Sequence, residues 1–182
     1  MDNRRSSTQL PRVTQPTTEA WLRGPVEGVP PLLQPVAHAL LQARDEVRAI
    51  ADALPADALW RRPAGLASAG FHLQHLRGVL DRTFTYARGA ALDGMQLAVL
   101  AAEGTPPTPA TTADRLAGAF AAQVELALAQ LRSTPEASLT AARAVGRAAL
   151  PSTVIGLLVH AAEHTTRHVG QLLVTARVAS AR

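Results

Sequence analysis

The sequence predicts an all-α chain: a four-helix bundle with an irregular N-terminal segment packed on it. Three observations carry that prediction. Four segments of roughly 20 residues place apolar side chains at helical spacing. Proline- and glycine-rich stretches separate them. No stretch sustains the apolar–polar alternation of a half-buried strand.

Residues 1–16 are polar and aperiodic, and are expected to form a disordered tail ahead of one domain over 17–182. Residues 17–31 are irregular, punctuated by Gly24-Pro25 and Pro30-Pro31, but carry Trp21, Leu22 and Val26. These three are too apolar to leave in water, so the segment is expected to lie against the bundle, with Trp21 buried or lining the cleft. The first helix runs from about Leu32 to Ala53, with Val36, Ala39, Leu40, Ala43, Val47 and Ile50 on one face, and Pro55 ends it. The second runs from about Leu66 to Arg88 on a stripe of Leu73, Leu76, Leu80, Phe84 and Ala87, and stops near Gly89. A short helical turn or two is expected over Met95 to Glu103. A loop at Gly104-Thr105-Pro106-Pro107-Thr108-Pro109 follows. The third long helix starts at Thr111 or Thr112 as N-cap, with Asp114 in its first turn. It carries Leu116, Phe120, Val124, Leu128 and Leu131, and stops before Pro135. The fourth begins after Pro151-Ser152 and runs to about Val178.

Composition narrows the chemistry. At 182 residues, 47% hydrophobic and 18% charged, the chain suits one globular domain. It has no cysteine, which excludes disulfides, a thiolate nucleophile and a thiolate metal ligand. All the basic residues are arginine, a bias expected of a GC-rich genome. They are dispersed, the net charge is only +4 and aromatics are 3%, so nucleic acid is not an expected partner. No apolar run reaches a membrane span, and no apolar segment follows Arg4 and Arg5 as a signal peptide would require. The expected location is the cytoplasm.

The histidines are the chemical feature. Five of the six fall in two helical segments: His72 and His75 in the second, His160, His164 and His168 in the fourth. His164 and His168 stand four apart and so share one helical face. At about 100° per residue, His168 falls roughly 40° outside the apolar stripe of its helix, His164 further out, and His160 on the polar side. His72 falls inside the stripe of the second helix, whereas His75 flanks it. A ligand lining a cleft flanks the core, which favours His75, His164 and His168 as three ligands to a divalent metal with a position left open. For His38, alone in the first helix, for His72 and for His160, an ordinary core or surface role is the simpler reading.

Three passages carry a family likeness. One is Ser68-Ala69-Gly70-Phe71-His72-Leu73-Gln74-His75-Leu76, followed by Leu80-Asp81-Arg82 and Tyr86-Ala87-Arg88-Gly89. Another is Leu150-Pro151-Ser152-Thr153-Val154. The most specific is His160-Ala161-Ala162-Glu163-His164-Thr165-Thr166-Arg167-His168-Val169-Gly170-Gln171. From about Trp21 to its end the chain resembles the DinB-like (DinB/YfiT) superfamily of metalloenzymes. The resemblance implies a bundle holding a divalent metal, Zn or Ni, on His75, His164 and His168. It implies a close helix contact at Gly170, a polar partner in Gln171, and outer positions around the metal for His72, His160 and Glu163.

Family members of known activity resemble thiol-dependent S-transferases and isomerases. Small-molecule transfer chemistry with a low-molecular-weight thiol is therefore the leading expectation, and hydrolase-like chemistry the next. The nucleophile would be a water or an external thiol at the open position. The alternatives are a non-enzymatic metal-binding stress-response protein and a metal-free helical interaction module. A homodimer is expected, through the third long helix, where Ala117, Ala121 and Ala129 form a small-residue surface and where two-fold pairing is the commonest assembly.

Overall fold

The computed structural model describes residues 18–181; the tail expected over 1–16 lies outside them. Four long helices form the bundle: α1 (Gln34–Ala53), α2 (Ala69–Ala87), α4 (Ala113–Ser133) and α5 (Val154–Ser180). The shorter α3 (Gly94–Ala101) lies between α2 and α4. Each of α1 and α2 packs against both α4 and α5, so α1 lies diagonally opposite α2 and α4 opposite α5. The four apolar stripes meet at the centre, where Leu40, Leu76, Phe120, Leu158 and Leu172 are wholly buried. Burying each such side chain is worth about 1.5–3 kcal/mol.

Local chemistry sets the helix starts. Ser68 caps α2, its hydroxyl accepting from the Phe71 amide at 3.1 Å. The helix therefore begins at Ala69, not near Leu66, because Pro63–Gly65 form a separate 3-10 turn in which Ala64 and Gly65 have positive φ. Thr112 caps α4 and Thr153 caps α5 in the same way. Asp93 and Gln96 form a capping box on α3. Gly70 is required by packing rather than by φ: a Cβ there would overlap the Trp60 ring. Gly70→Ala is expected to cost about 1–3 kcal/mol by overpacking. Urea unfolding checks it, and a midpoint at or above that of the parent would refute it.

Two features depart from the sequence reading. A two-stranded antiparallel hairpin, β1 (Ala142–Val145) and β2 (Leu150–Thr153), joins α4 to α5, with Ala142 opposite Thr153 and Val145 opposite Leu150. Four-residue strands are too short to show a period, and β2 contains Pro151, so nothing in the pattern announced them. The hairpin is tied to the bundle by Arg143, whose Nε donates to the Ala87 carbonyl at the end of α2 at 2.8 Å.

The second departure is Trp21. The N-terminal segment does lie on the bundle, but Trp21 and Leu22 are 61% and 56% exposed, and the buried anchors are Ala20 and Val29. Polar side chains of α1 hold the segment by its backbone. Gln42 accepts from the Ala20 amide at 2.9 Å, and Gln34 clasps Val26 and Val29 through three hydrogen bonds. His38 Nε2 lies 3.0 Å from the Gly24 carbonyl, which gives that histidine a structural place. Trp21 lines a groove of about 510 Å³ between α1 and α5, together with Gln42, Glu46 and Val169. None of His75, His164 and His168 lines that groove. On α4, Ala117 is core, not surface, while Ala129 is exposed and Ala121 half-buried.

Candidate metal centre

The interface of α2 and α5 brings four imidazoles together. The helices run antiparallel there, since His72 meets His168 and His75 meets His164. On α2 the Ser68 cap sets the helix register that places His72 in its first turn and His75 one turn further along. On α5 the four-residue spacing stacks His164 and His168, with ring centroids 4.6 Å apart.

His75 Nε2 and His164 Nε2 are 2.9 Å apart. His75, His164 and His168 each offer one nitrogen, and the three nitrogens all lie within 4.8 Å of one another. That grouping can hold a divalent cation. The nitrogens of a tetrahedral three-His site, with bonds of about 2.0–2.1 Å, stand roughly 3.3 Å apart. His72, 5% exposed, stands outside the three: its Nδ1 is 3.1 Å from Nδ1 of His168. One of those two nitrogens must carry the proton between them. If His168 donates, its Nε2 keeps a free lone pair.

Electrostatics favour the uncharged form of His72, His164 and His168. Burial first, and then the neighbouring imidazoles, push His168 down to about 4. His164 is lowered by burial, then by His75, His160 and Arg167, with Glu163 opposing. His72 is lowered by burial and by His75. A neutral imidazole is the form that ligates metal. Nδ1 of His164 is buried and has no hydrogen-bond partner in the protein.

The residue that sequence reasoning missed is Glu103, just beyond α3. Its carboxylate is 8% exposed; Oε2 lies 2.6 Å from His75 Nδ1, and Oε1 accepts from Arg82 at 2.6 Å. Burial acts to raise its pKa, but the hydrogen bonds from His75 and Arg82 outweigh that and hold it below the usual carboxylate value. The signal for it was present: Glu103 is the one acid closing an otherwise uncharged run from Met95, directly before a glycine. Phe71 closes another side of the site, stacked on His75 with centroids 5.3 Å apart and planes 11° from parallel.

The remaining residues singled out in the sequence lie on the solvent side of α5, with His160 and Glu163 beside His164. His160 and Glu163 are exposed, and Glu163 pairs with Arg167. They form a second close group with His164, but on a solvated face where an arginine already neutralises the acid. Gln171 is exposed, and a Cβ on Gly170 would meet nothing within 4 Å, so no close helix contact exists there.

An α-helical bundle that gathers imidazoles from two facing helices is an arrangement that can hold a metal ion. Residues 39–172 match the family model of the DinB superfamily, and the chain belongs to that superfamily. The match begins in α1, ends in α5 and includes every residue of the histidine cluster and Glu103. A search of curated proteins finds no match.

Proposed function

We propose that this chain is a metal-dependent enzyme acting on a small molecule, with His75, His164 and His168 holding one divalent ion, Zn or Ni. The observation that carries the reading is the convergence of three imidazole nitrogens on one spot between α2 and α5. The donor set fits such an ion: it is all imidazole and half-buried, and at His164 and His168 it is biased toward the neutral form. His72 stays outside the group, which leaves three protein ligands, the number typical of catalytic rather than structural sites. A divalent ion so held supplies Lewis acidity that lowers the pKa of a water or thiol reaching it. The protein's own groups orient the ligands, wall the site with Phe71, and bias His164 and His168 toward the neutral form. With no cysteine in the chain, a thiol would come from solution as a low-molecular-weight co-substrate. S-transfer is the favoured reaction class and hydrolysis the next.

Metal analysis of protein purified without a histidine tag is expected to return one ion per 19.1 kDa chain, removable by chelator. Absence of any bound metal after incubation with zinc or nickel would sink the reading. Metal retained with no turnover of any thiol or hydrolytic substrate would favour a stress-response role instead. We further propose a homodimer through α4, where Leu126 is 64% exposed beside Ala129. Light scattering at micromolar concentration is expected to give twice the 19.1 kDa chain mass, and the mass of one chain would refute the pairing.

A further inference from the structure

We infer that Glu103 is a positioning residue that fixes the tautomer and orientation of His75, reaching it across α2 through a gap that Gly78 leaves open. As a statement about a metal ligand the inference rests on the three-histidine reading. As a statement about the His75 ring it stands on the contacts alone.

Four observations converge. Glu103 follows α3, yet its carboxylate is buried against α2, with Oε2 2.6 Å from His75 Nδ1. A carboxylate with both oxygens engaged can only accept, so Nδ1 carries the proton and the Nε2 lone pair is left facing His164. The other oxygen accepts from Arg82, whose guanidinium can only donate, so the carboxylate cannot turn away without breaking a charge-assisted bond. A Cβ at position 78 would collide with Glu103 Oε1 and would lie 2.6 Å from the Arg82 guanidinium. Glycine there costs helix stability, about 1 kcal/mol relative to alanine, and the carboxylate–guanidinium contact occupies the space it frees. Gln74 completes the clasp, accepting from the Gly104 amide at 2.7 Å and donating to the Thr105 carbonyl at 3.1 Å. The loop that carries Glu103 is thereby pinned to the helix that carries His75.

Two variants and two readouts test this. In Glu103→Gln an amide cannot satisfy both neighbours: if its oxygen accepts from Arg82, its NH₂ faces His75 Nδ1 and drives the proton to Nε2. Gly78→Ala displaces the carboxylate without changing it; the position is buried, but the added Cβ meets only the ends of the Glu103 and Arg82 side chains, which can swing aside while the backbone of α2 keeps its place. Long-range ¹H–¹⁵N spectra of the metal-free full chain are expected to show the Nδ1–H tautomer for His75 in the parent and its loss in Glu103→Gln. Competition for zinc against a chromophoric chelator is expected to show a loss of about 10- to 100-fold in both variants, with circular dichroism unchanged. A His75 that keeps its tautomer in Glu103→Gln, or zinc affinity unchanged in both variants, overturns the inference and leaves the metal reading intact. A parent chain that takes up no zinc but shows the Glu103-dependent tautomer supports the positioning role and defeats the metal reading.

Discussion

Replacing His164 with alanine is expected to lower zinc affinity roughly a thousandfold, to the point where stoichiometric binding is lost on dilution. Structural zinc sites bind with about 10–16 kcal/mol, so one ligand of three or four carries several kcal/mol. His164 sits between the other two: its Nε2 faces His75 at 2.9 Å and its ring lies beside that of His168, centroids 4.6 Å apart and tilted by 33°. Removing it leaves no two nitrogens fixed toward each other across α2 and α5 except through His168. The control is His160→Ala. That ring lies one turn earlier on the same helix but is exposed, and its loss is expected to change affinity by no more than about twofold. Chelator competition on both variants decides it. Equal stoichiometry in the parent and in His164→Ala would place the ion elsewhere, and a large loss in His160→Ala would move the site toward the exposed group with Glu163.

The metal-free chain is expected to lose stability as pH falls from about 6.5 toward 4. The sign follows from His168, lowered from an ordinary 6.5 to about 4, with His164 and His72 lowered in the same direction. Between those pH values the unfolded chain binds protons that the folded chain refuses, so acid favours unfolding. The stabilising contribution is complete above the unfolded value and is gone once pH reaches the folded one. Melting temperatures of the metal-free protein in half-unit pH steps test this expectation, and His168→Ala should flatten the slope. A melting temperature constant from pH 7 to 4.5 would contradict the burial of the cluster.

What could be read from the sequence divides along physical lines. The bundle was legible because its information is periodic. The stripes through Leu40, Leu76, Phe120 and Leu158 repeat for five or six turns, and all four side chains are buried in the centre. His164 and His168 were legible as a pair for the same reason, and the flanking position of His75 made it a candidate. Features that depend on one contact between distant segments were not legible. The hairpin is too short to show a period. Trp21 is apolar enough to be expected inside, but the segment is held by Gln34, Gln42 and His38 binding its backbone, which leaves the indole outside. Glu103 meets His75 across 28 positions of chain. Helical geometry says nothing about such a meeting. Only the oddity of a lone acid at the end of an apolar run, with a glycine on the facing helix, pointed to it. Gly170 and Gln171 failed in the opposite sense: the motif suggested contacts, and both face solvent.

The helix α3 contributes no buried side chain, and Met95, Leu97 and Leu100 on it are substantially exposed. It is fastened by polar links: Gln96 to Thr85, Gln74 to the loop after it, and Glu103 to His75 and Arg82. An element held mainly by polar contacts, with no buried side chain of its own, opens at lower cost than the core around it. The segment that carries Glu103 to the imidazoles is thus held by polar contacts that can break while the helices bearing those imidazoles stay folded. Ligand exchange at the cluster would then have its own local route and its own clock. Amide exchange in 94–101 would run fast, and slow when the cluster is filled, without any change in the global unfolding of the bundle.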